Sequence, residues 1–309
     1  MDWDHNLKNI KDVFQEAQKN NIELLCLPEL CITGYGCEDM FLSTWLCETA
    51  QAKLIELLPF TSGLTTCLGL PVRFEGQIYN CIALIEDEKI LGIYAKHNLA
   101  NDGIHYEKRW FSSWPYHKIE TLNITGQSVQ IGAISIEIKN IKIGFEICED
   151  AWQEDRPANH LATQGIELIL NPSASHFAFE KEKYREQLVV SSSKKFNCTY
   201  LYTNLLGNEA GRMIYDGDIL IAQNGNLIGH NTRFSFKPFN ILYCEVDFDS
   251  QTSSTNIKKD YTGKLEEMSQ ALPLALFDYL IKSKNKGFVL SLSGGADSST
   301  IAIMVRRMV

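Results

Sequence analysis

Gly144–Trp152 reads GFEICEDAW. The apolar run beginning at Ile141 ends here on one cysteine, Cys148, set among Glu146, Glu149 and Asp150. A free thiol titrates near about 8.5, and flanking carboxylates oppose the thiolate. A reactive Cys148 therefore needs a cation brought from elsewhere in the chain. Without one, the segment is only a buried strand running into an acidic loop.

Working outward, the same texture recurs. "IELLCLPEL", "LTTCLGLPV", "IYNCIALIE", "KILGIYAK", "VQIGAISIEI", "IKIGFEIC", "IELILNPS" and "CTYLYTN" are short apolar runs that predict buried strands. Leu7, Ile10, Phe14 and Ala17 recur at helical spacing and predict a helix near 4–20; a second is expected over Glu180–Lys195. Lys139-Asn140 and Asn224-Gly225 read as hairpin turns. Parallel units mixed with hairpins, with both sheet faces covered, predict a layered α/β sandwich.

Near residue 249 the pattern changes. "DFDSQTSSTNIKKDYTGK" is polar and aperiodic, so residues 249–264 read as a linker between a domain over 1–248 and a second unit over 265–309. That unit shows a helix (about Leu265–Lys284), a strand in "GFVLSL", the turn "SGGADSS" and another helix. These are too few to close a core, so the chain is expected to end inside a second domain.

The 309 residues carry a formal charge of −9, which argues against nucleic-acid or anionic-membrane partners. No apolar run approaches a membrane span, and the polar opening does not read as a signal peptide. Nine irregularly spaced cysteines predict reduced thiols in a cytoplasmic protein. Cys26, Cys31 and Cys37 lack C-x-x-C spacing, so no metal ligands are assigned.

Three polar residues stand where apolar runs give out: Glu29 after "LLCLP", Lys96 after "LGIYA", and Cys148. Ends of buried strands can converge in one cleft. Lys96 is the cation Cys148 calls for, since unit charges about 4 Å apart at a dielectric near 20 interact by roughly 4 kcal/mol, about three pKa units. Glu29 would be the general base.

The blocks "CLPELCITGYGCEDMF", "YAKHNLANDGIHYEKRWF", "GFEICEDAW" and "NPSASHF" resemble, in this order, the nitrilase-type glutaminase domain of glutamine-dependent NAD synthetases, and "SLSGGADSS" resembles the ATP loop opening their synthetase domain. The resemblance implies a nitrilase-type αββα sandwich followed by the start of an α/β ATP-pyrophosphatase domain. It implies a Glu29–Lys96–Cys148 triad with Cys148 as nucleophile toward L-glutamine, and Glu107 orienting the lysine; a surface ion pair of Glu107 with Arg109 is the alternative. Lys96 and the backbone N–H of Glu149 would hold the oxyanion. Ser175 and Lys181 match positions that hold the substrate's α-amino and α-carboxylate groups. Ser293, Gly294, Gly295, Asp297 and Ser298 would cradle ATP, with Mg²⁺ and deamido-NAD joining in the full enzyme. A homo-oligomer is implied too. Two departures stand out. Where many relatives have a tyrosine in the glutamine pocket, "LANDG" has Asp102, an acid suited to the substrate ammonium. Such domains also open with a strand, and here Met1 falls just before the first helix, so that strand is expected to be missing. The alternatives are a free-standing nitrilase-type amidase and a non-catalytic domain that keeps the motifs.

Overall fold

The computed structural model describes residues 2–249 and 257–308. Helix α1 (Trp3–Lys19) is capped by the Asp2 carboxylate, which accepts from the His5 N–H at 3.2 Å, and it buries Leu7, Ile10, Val13, Phe14 and Ala17. The first sheet holds β1 (Leu24–Cys26), β2 (Thr65–Phe74), β3 (Gln77–Glu86), β4 (Lys89–Ala95), β5 (Ile119–Ile124) and β6 (Gln127–Gly132), in the order β1-β2-β3-β4-β6-β5. The second is built from β7 (Ile136–Ile138), β8 (Ile141–Phe145), β9 (Leu168–Ser173) and β10 (Thr199–Asn204). After a two-stranded ribbon, β11 (Leu206–Glu209) with β12 (Met213–Asp216), it is completed by β13 (Ile219–Gln223) and β14 (Asn226–His230). Its order is β14-β13-β10-β9-β8-β7.

The period of two along the strands assigns the layers. On β3, Ile82 and Leu84 join Phe145, Leu168 and Leu170 between the sheets, while Cys81, Ala83 and Ile85 face α1 and α2 (Thr44–Leu57). On β9, Ile169 turns outward to pack with Leu161 and Val189. Those two residues belong to α4 (Pro157–Ala162) and α5 (Lys181–Phe196), which follow the short α3 (Glu107–Trp110). The result is helix, sheet, sheet, helix, the expected αββα sandwich.

Turn chemistry closes the hairpins. Lys139-Asn140 and Asn224-Gly225 both take positive φ at each residue, the signature of type I′ turns, as the sequence predicts. Glu75-Gly76, Asp87-Glu88 and Thr125-Gly126 do the same, and only two of these three carry the glycine that would announce them.

Helix α6 (Lys264–Lys282) forms where expected and packs Ala271 and Leu274 against Phe234 and Leu206. The Asn208 N–H of the ribbon donates to Asp278, and the Lys282 ammonium donates to the Asn208 carbonyl at 2.6 Å. Residues 250–256, the middle of the expected linker, lie outside the described residues. The strand expected in Gly287–Leu292 does not form. A strand needs a ladder partner, and this stretch has none among the described residues; Val289 and Leu292 are exposed. Helix α7 (Ala296–Met308) follows. No helix among the described residues is long and apolar enough to cross a membrane. All nine cysteines are free.

Gly69 on β2 shows how the fold admits the chain that follows β1. A Cβ there would lie 2.2 Å from the Leu30 nitrogen, 2.8 Å from the Pro28 carbonyl and 2.9 Å from the Glu29 carbonyl carbon. Only glycine lets residues 28–30 lie against the sheet. Gly69→Ala is expected to cost about 3 kcal/mol, the upper end for overpacking, because the atoms met are backbone. Urea unfolding would measure it, and an unchanged midpoint would count against so close an approach.

Candidate active site

Four strand ends meet at one edge of the sandwich. Glu29 follows β1 by three residues, Lys96 follows β4 directly, Cys148 follows β8, and Ala174–Ser175 follow β9. Glu29, Lys96 and Glu107 are wholly buried, and Cys148 is 8% exposed. The Lys96 ammonium donates to Glu29 Oε1 at 2.7 Å and to Glu107 Oε1 at 2.8 Å. The remaining carboxylate sites are filled from several elements. Asn80 Nδ2 donates to Glu29 Oε1 at 2.7 Å, and the Ala174 N–H to Glu29 Oε2 at 2.7 Å. Tyr35 and the Ala100 N–H donate to Glu107 at 2.9 and 2.8 Å. Arg109 pairs with Asp39 instead, at 2.6 Å, so the surface-pair reading of Glu107 fails.

Burial works against the Lys96 charge, but Glu107 and Glu29 outweigh it and hold the ammonium's pKa well above its usual value. Burial lifts the Glu29 carboxyl to about 7; Lys96 pulls against this and Glu107 adds to it. The Cys148 thiol is pushed up to about 12, by burial first and Glu29 next, with Lys96 only partly opposing them. The expectation that Lys96 offsets the acids is thus corrected. Two buried glutamates share one lysine, and the array leaves Cys148 a neutral thiol. Cys148 also stands at φ +44°, a left-handed conformation that non-glycine residues adopt at a cost.

The acids beside Cys148 in sequence have other duties. Glu146 is buried against Arg156, with Tyr200 and the Ala158 N–H donating to it at 2.7 and 2.9 Å. Asp150 accepts from the Ile147, His97 and Asn98 N–H groups at 2.9, 3.2 and 2.7 Å, tying the cysteine turn to the segment after β4. Glu149 is partly exposed and accepts from Gln153.

Ser175, Lys181 and Asp102 lie around this centre with unequal freedom. Arg185 donates to the Ser175 carbonyl at 2.8 Å and to its hydroxyl at 3.3 Å, and Asn204 Oδ1 accepts from the Ser175 N–H at 2.8 Å. Lys181, in the first turn of α5, has no carboxylate partner among the described residues; burial and then Arg185 lower its pKa, while Cys148 and Asp102 raise it. Asp102 is exposed and accepts from the His105 N–H at 3.1 Å. His105 Nε2 lies 2.9 Å from His176 Nδ1. Burial lowers the pKa of both rings, that of His176 to about 4.

Sequence reasoning missed Tyr35 and Asn80, and took Asp150 only for an acid opposing the thiolate. Asn80 had a signal, a lone amide inside the apolar "IYNCIALIE"; Tyr35 had none. The loop Ser293–Ser298 lies apart, at the start of α7. Gly294 takes φ +80°, and the Ser293 and Ser298 hydroxyls meet at 3.1 Å.

Comparison with known proteins bears on the family and the fold. The glutamine-dependent NAD(+) synthetase of Oryza sativa subsp. indica is 31% identical over 99% of this chain and 48% of its own length. Among solved structures, the glutamine-dependent NAD(+) synthetase from Cytophaga hutchinsonii is 49% identical, with a TM-score of 0.87 over 99% of this chain and 49% of that one. The one from Acinetobacter baumannii, in complex with adenosine diphosphate, is 27% identical, with a TM-score of 0.84 over 99% of this chain and 54% of that one. The chain thus spans about half the length of the curated relatives it matches. The carbon-nitrogen hydrolase profile matches residues 1–254, and this chain belongs to that family.

Proposed function

We propose that residues 1–248 release ammonia from L-glutamine at Cys148, for use by an NAD synthetase unit that begins over 265–309 beyond a 249–264 linker. The observation that carries this reading is the buried Glu29–Lys96–Glu107 array set beside a protonated Cys148. As Sγ attacks the side-chain amide carbon, Glu29 takes the thiol proton. Lys96 and the Glu149 N–H face the developing oxyanion. Glu29 returns the proton to the departing nitrogen, ammonia leaves, and a γ-glutamyl thioester remains. Water then attacks the thioester with Glu29 again as base, and glutamate departs as Cys148 regains its proton. Glu107 holds Lys96 in place and does not touch the substrate. The uncommitted Lys181 ammonium suits the α-carboxylate and Asp102 the α-ammonium, while Ser175, already held by Arg185, presents a fixed rim.

In the synthetase unit, ATP phosphates would lie against the N–H groups of Gly294 and Gly295 and the hydroxyls of Ser293 and Ser298, with Asp297 in the adjoining first turn. The positive φ and converging hydroxyls fit such a cradle, and a similar structure carries adenosine diphosphate. ATP with Mg²⁺ supplies the activation of the deamido-NAD carboxylate that ammonia then attacks. A cytoplasmic homo-oligomer completes the proposal.

Two measurements bear on it. A diazoketone analogue of glutamine should label Cys148 and none of the other eight cysteines, with glutamine protecting; Cys148→Ala should release no ammonia. In a protein with a complete synthetase unit, that variant should still make NAD from free ammonia. Labelling elsewhere, or label unaffected by glutamine, would overturn the assignment.

The second concerns pH. Glu29 acts as base only when ionised, so kcat/KM for glutamine should fall tenfold per unit below a pKa of about 7 and level off above it. Glu29→Gln should remove that limb and lower the rate by at least about 10²-fold. A limb that survives in Glu29→Gln belongs to another group.

A further inference from the structure

We propose that Asp102, His105 and His176 form a site for a zinc-class divalent metal ion near the Glu29–Lys96–Cys148 centre. One nitrogen from each ring and one Asp102 carboxylate oxygen lie within 4.8 Å of one another. His105 is 4% exposed, and its Nδ1 is buried with no hydrogen-bond partner. His105 Nε2 and His176 Nδ1, at 2.9 Å, share one proton between two lone pairs, and a metal ion would take that proton's place as the proton moves to the far nitrogen of the ring that carried it. The Tyr35 ring meets the His105 ring edge-on at 5.3 Å, and its hydroxyl is fixed to Glu107, so the His105 plane is set before any ion arrives. Asp102 Oδ1 is engaged by the His105 N–H, which leaves Oδ2 to coordinate.

The donor set decides the ion. Two imidazoles and one carboxylate match Zn²⁺, Co²⁺ or Ni²⁺ and not Mg²⁺ or Ca²⁺, which take oxygen alone. Zinc–nitrogen bonds of about 2.0–2.1 Å in a tetrahedral site require the rings to part by roughly half an ångström. Three protein ligands leave the fourth position to water. Sequence spacing gave no hint of this site, because 71 residues separate the two histidines. The ion would engage Asp102 and sit next to Ser175, so it should compete with glutamine; this last step rests on the proposed function.

The test uses tag-free Cys148→Ala protein, which lacks the one thiol in the cleft. Titration with Co²⁺ should give visible d–d bands at one equivalent with no thiolate charge-transfer band, and Zn²⁺ should displace it. Outer partners of metal sites change affinity about 10–100-fold, so Asp102→Asn and His176→Gln, which remove direct ligands at an exposed and a half-buried position, should each cost at least that. No stoichiometric binding, a thiolate band, or undiminished affinity in both variants overturns the site. In the wild type, Zn²⁺ should raise the KM for glutamine and lose that effect in His176→Gln. Binding with an unchanged KM would instead overturn the placement of glutamine, and inhibition that persists in His176→Gln would assign it to the thiol.

Discussion

One ammonium group between two carboxylates, all three sealed from water, is the constraint on which the site depends. Lys96, Glu29 and Glu107 are each fully buried. Removing one partner of such a pair costs about 3–5 kcal/mol, because it strands an uncompensated charge. The surroundings therefore have to satisfy every remaining lone pair. They do so with Asn80 from β3, Tyr35 from the loop after β1, the Ala100 N–H from the segment after β4, and the Ala174 N–H from the end of β9. The last donor comes from the opposite sheet. The charge cluster thus fixes how the two sheets meet at this edge, and Gly69 makes room for the backbone that brings Glu29 in.

A second buried network holds the other wall. Arg185 grips the segment after β9 through the Ser175 carbonyl and bonds Asp216 at 2.6 Å. Arg233 reaches the same Asp216 oxygen at 3.2 Å and also pairs with Glu182 of α5 and with Glu267 of α6, the latter at 2.9 Å. Lys259 adds contacts to Glu182 and Asp218 at 2.8 and 3.3 Å. Burial opposes the Asp216 charge, but Arg185 and Arg233 overcome it and hold its pKa down to about 2. Helix α6 is therefore tied by charge to the residues that frame the cleft, not merely laid against them. A shift of α6 would be felt at Ser175 through four consecutive ion pairs or hydrogen bonds, Glu267–Arg233, Arg233–Asp216, Asp216–Arg185 and Arg185–Ser175.

Much of this was legible in the sequence, for identifiable reasons. Strands buried on both faces leave continuous apolar runs, and each of the eight quoted runs holds a strand. Strand β5 escaped because its "IETLNI" is half exposed and polar at alternate positions. "GFVLSL" was taken for a strand because composition does not reveal whether a ladder partner exists. Glu29, Lys96 and Cys148 could be picked out as polar residues ending apolar runs. Their electrostatics could not. The sequence puts Glu146, Glu149 and Asp150 next to the thiol, yet Glu146 is neutralised by Arg156 and Asp150 serves backbone N–H groups. The acids that raise the Cys148 pKa are Glu29 and Glu107, more than 100 and about 40 positions away. Adjacency in sequence is a poor guide to charge at a site assembled from strand ends.

That inversion bears on chemistry. A thiol activated by a free lysine would be a standing thiolate, open to oxidation and to stray electrophiles. Here the lysine is engaged by two glutamates, so the resting thiol keeps its proton, with a pKa pushed up to about 12. Nucleophilicity can then appear only as Glu29 takes that proton, and Glu29 has been lifted by burial to about 7, where gaining and returning a proton near neutral pH are nearly balanced. A substrate amide seated against Sγ would expel water from the cleft and strengthen the interaction of Lys96 with a developing oxyanion. Lys96 therefore matters less for making a thiolate in advance than for keeping Glu29 ionised enough to act as a base and for meeting the negative charge once it moves onto oxygen.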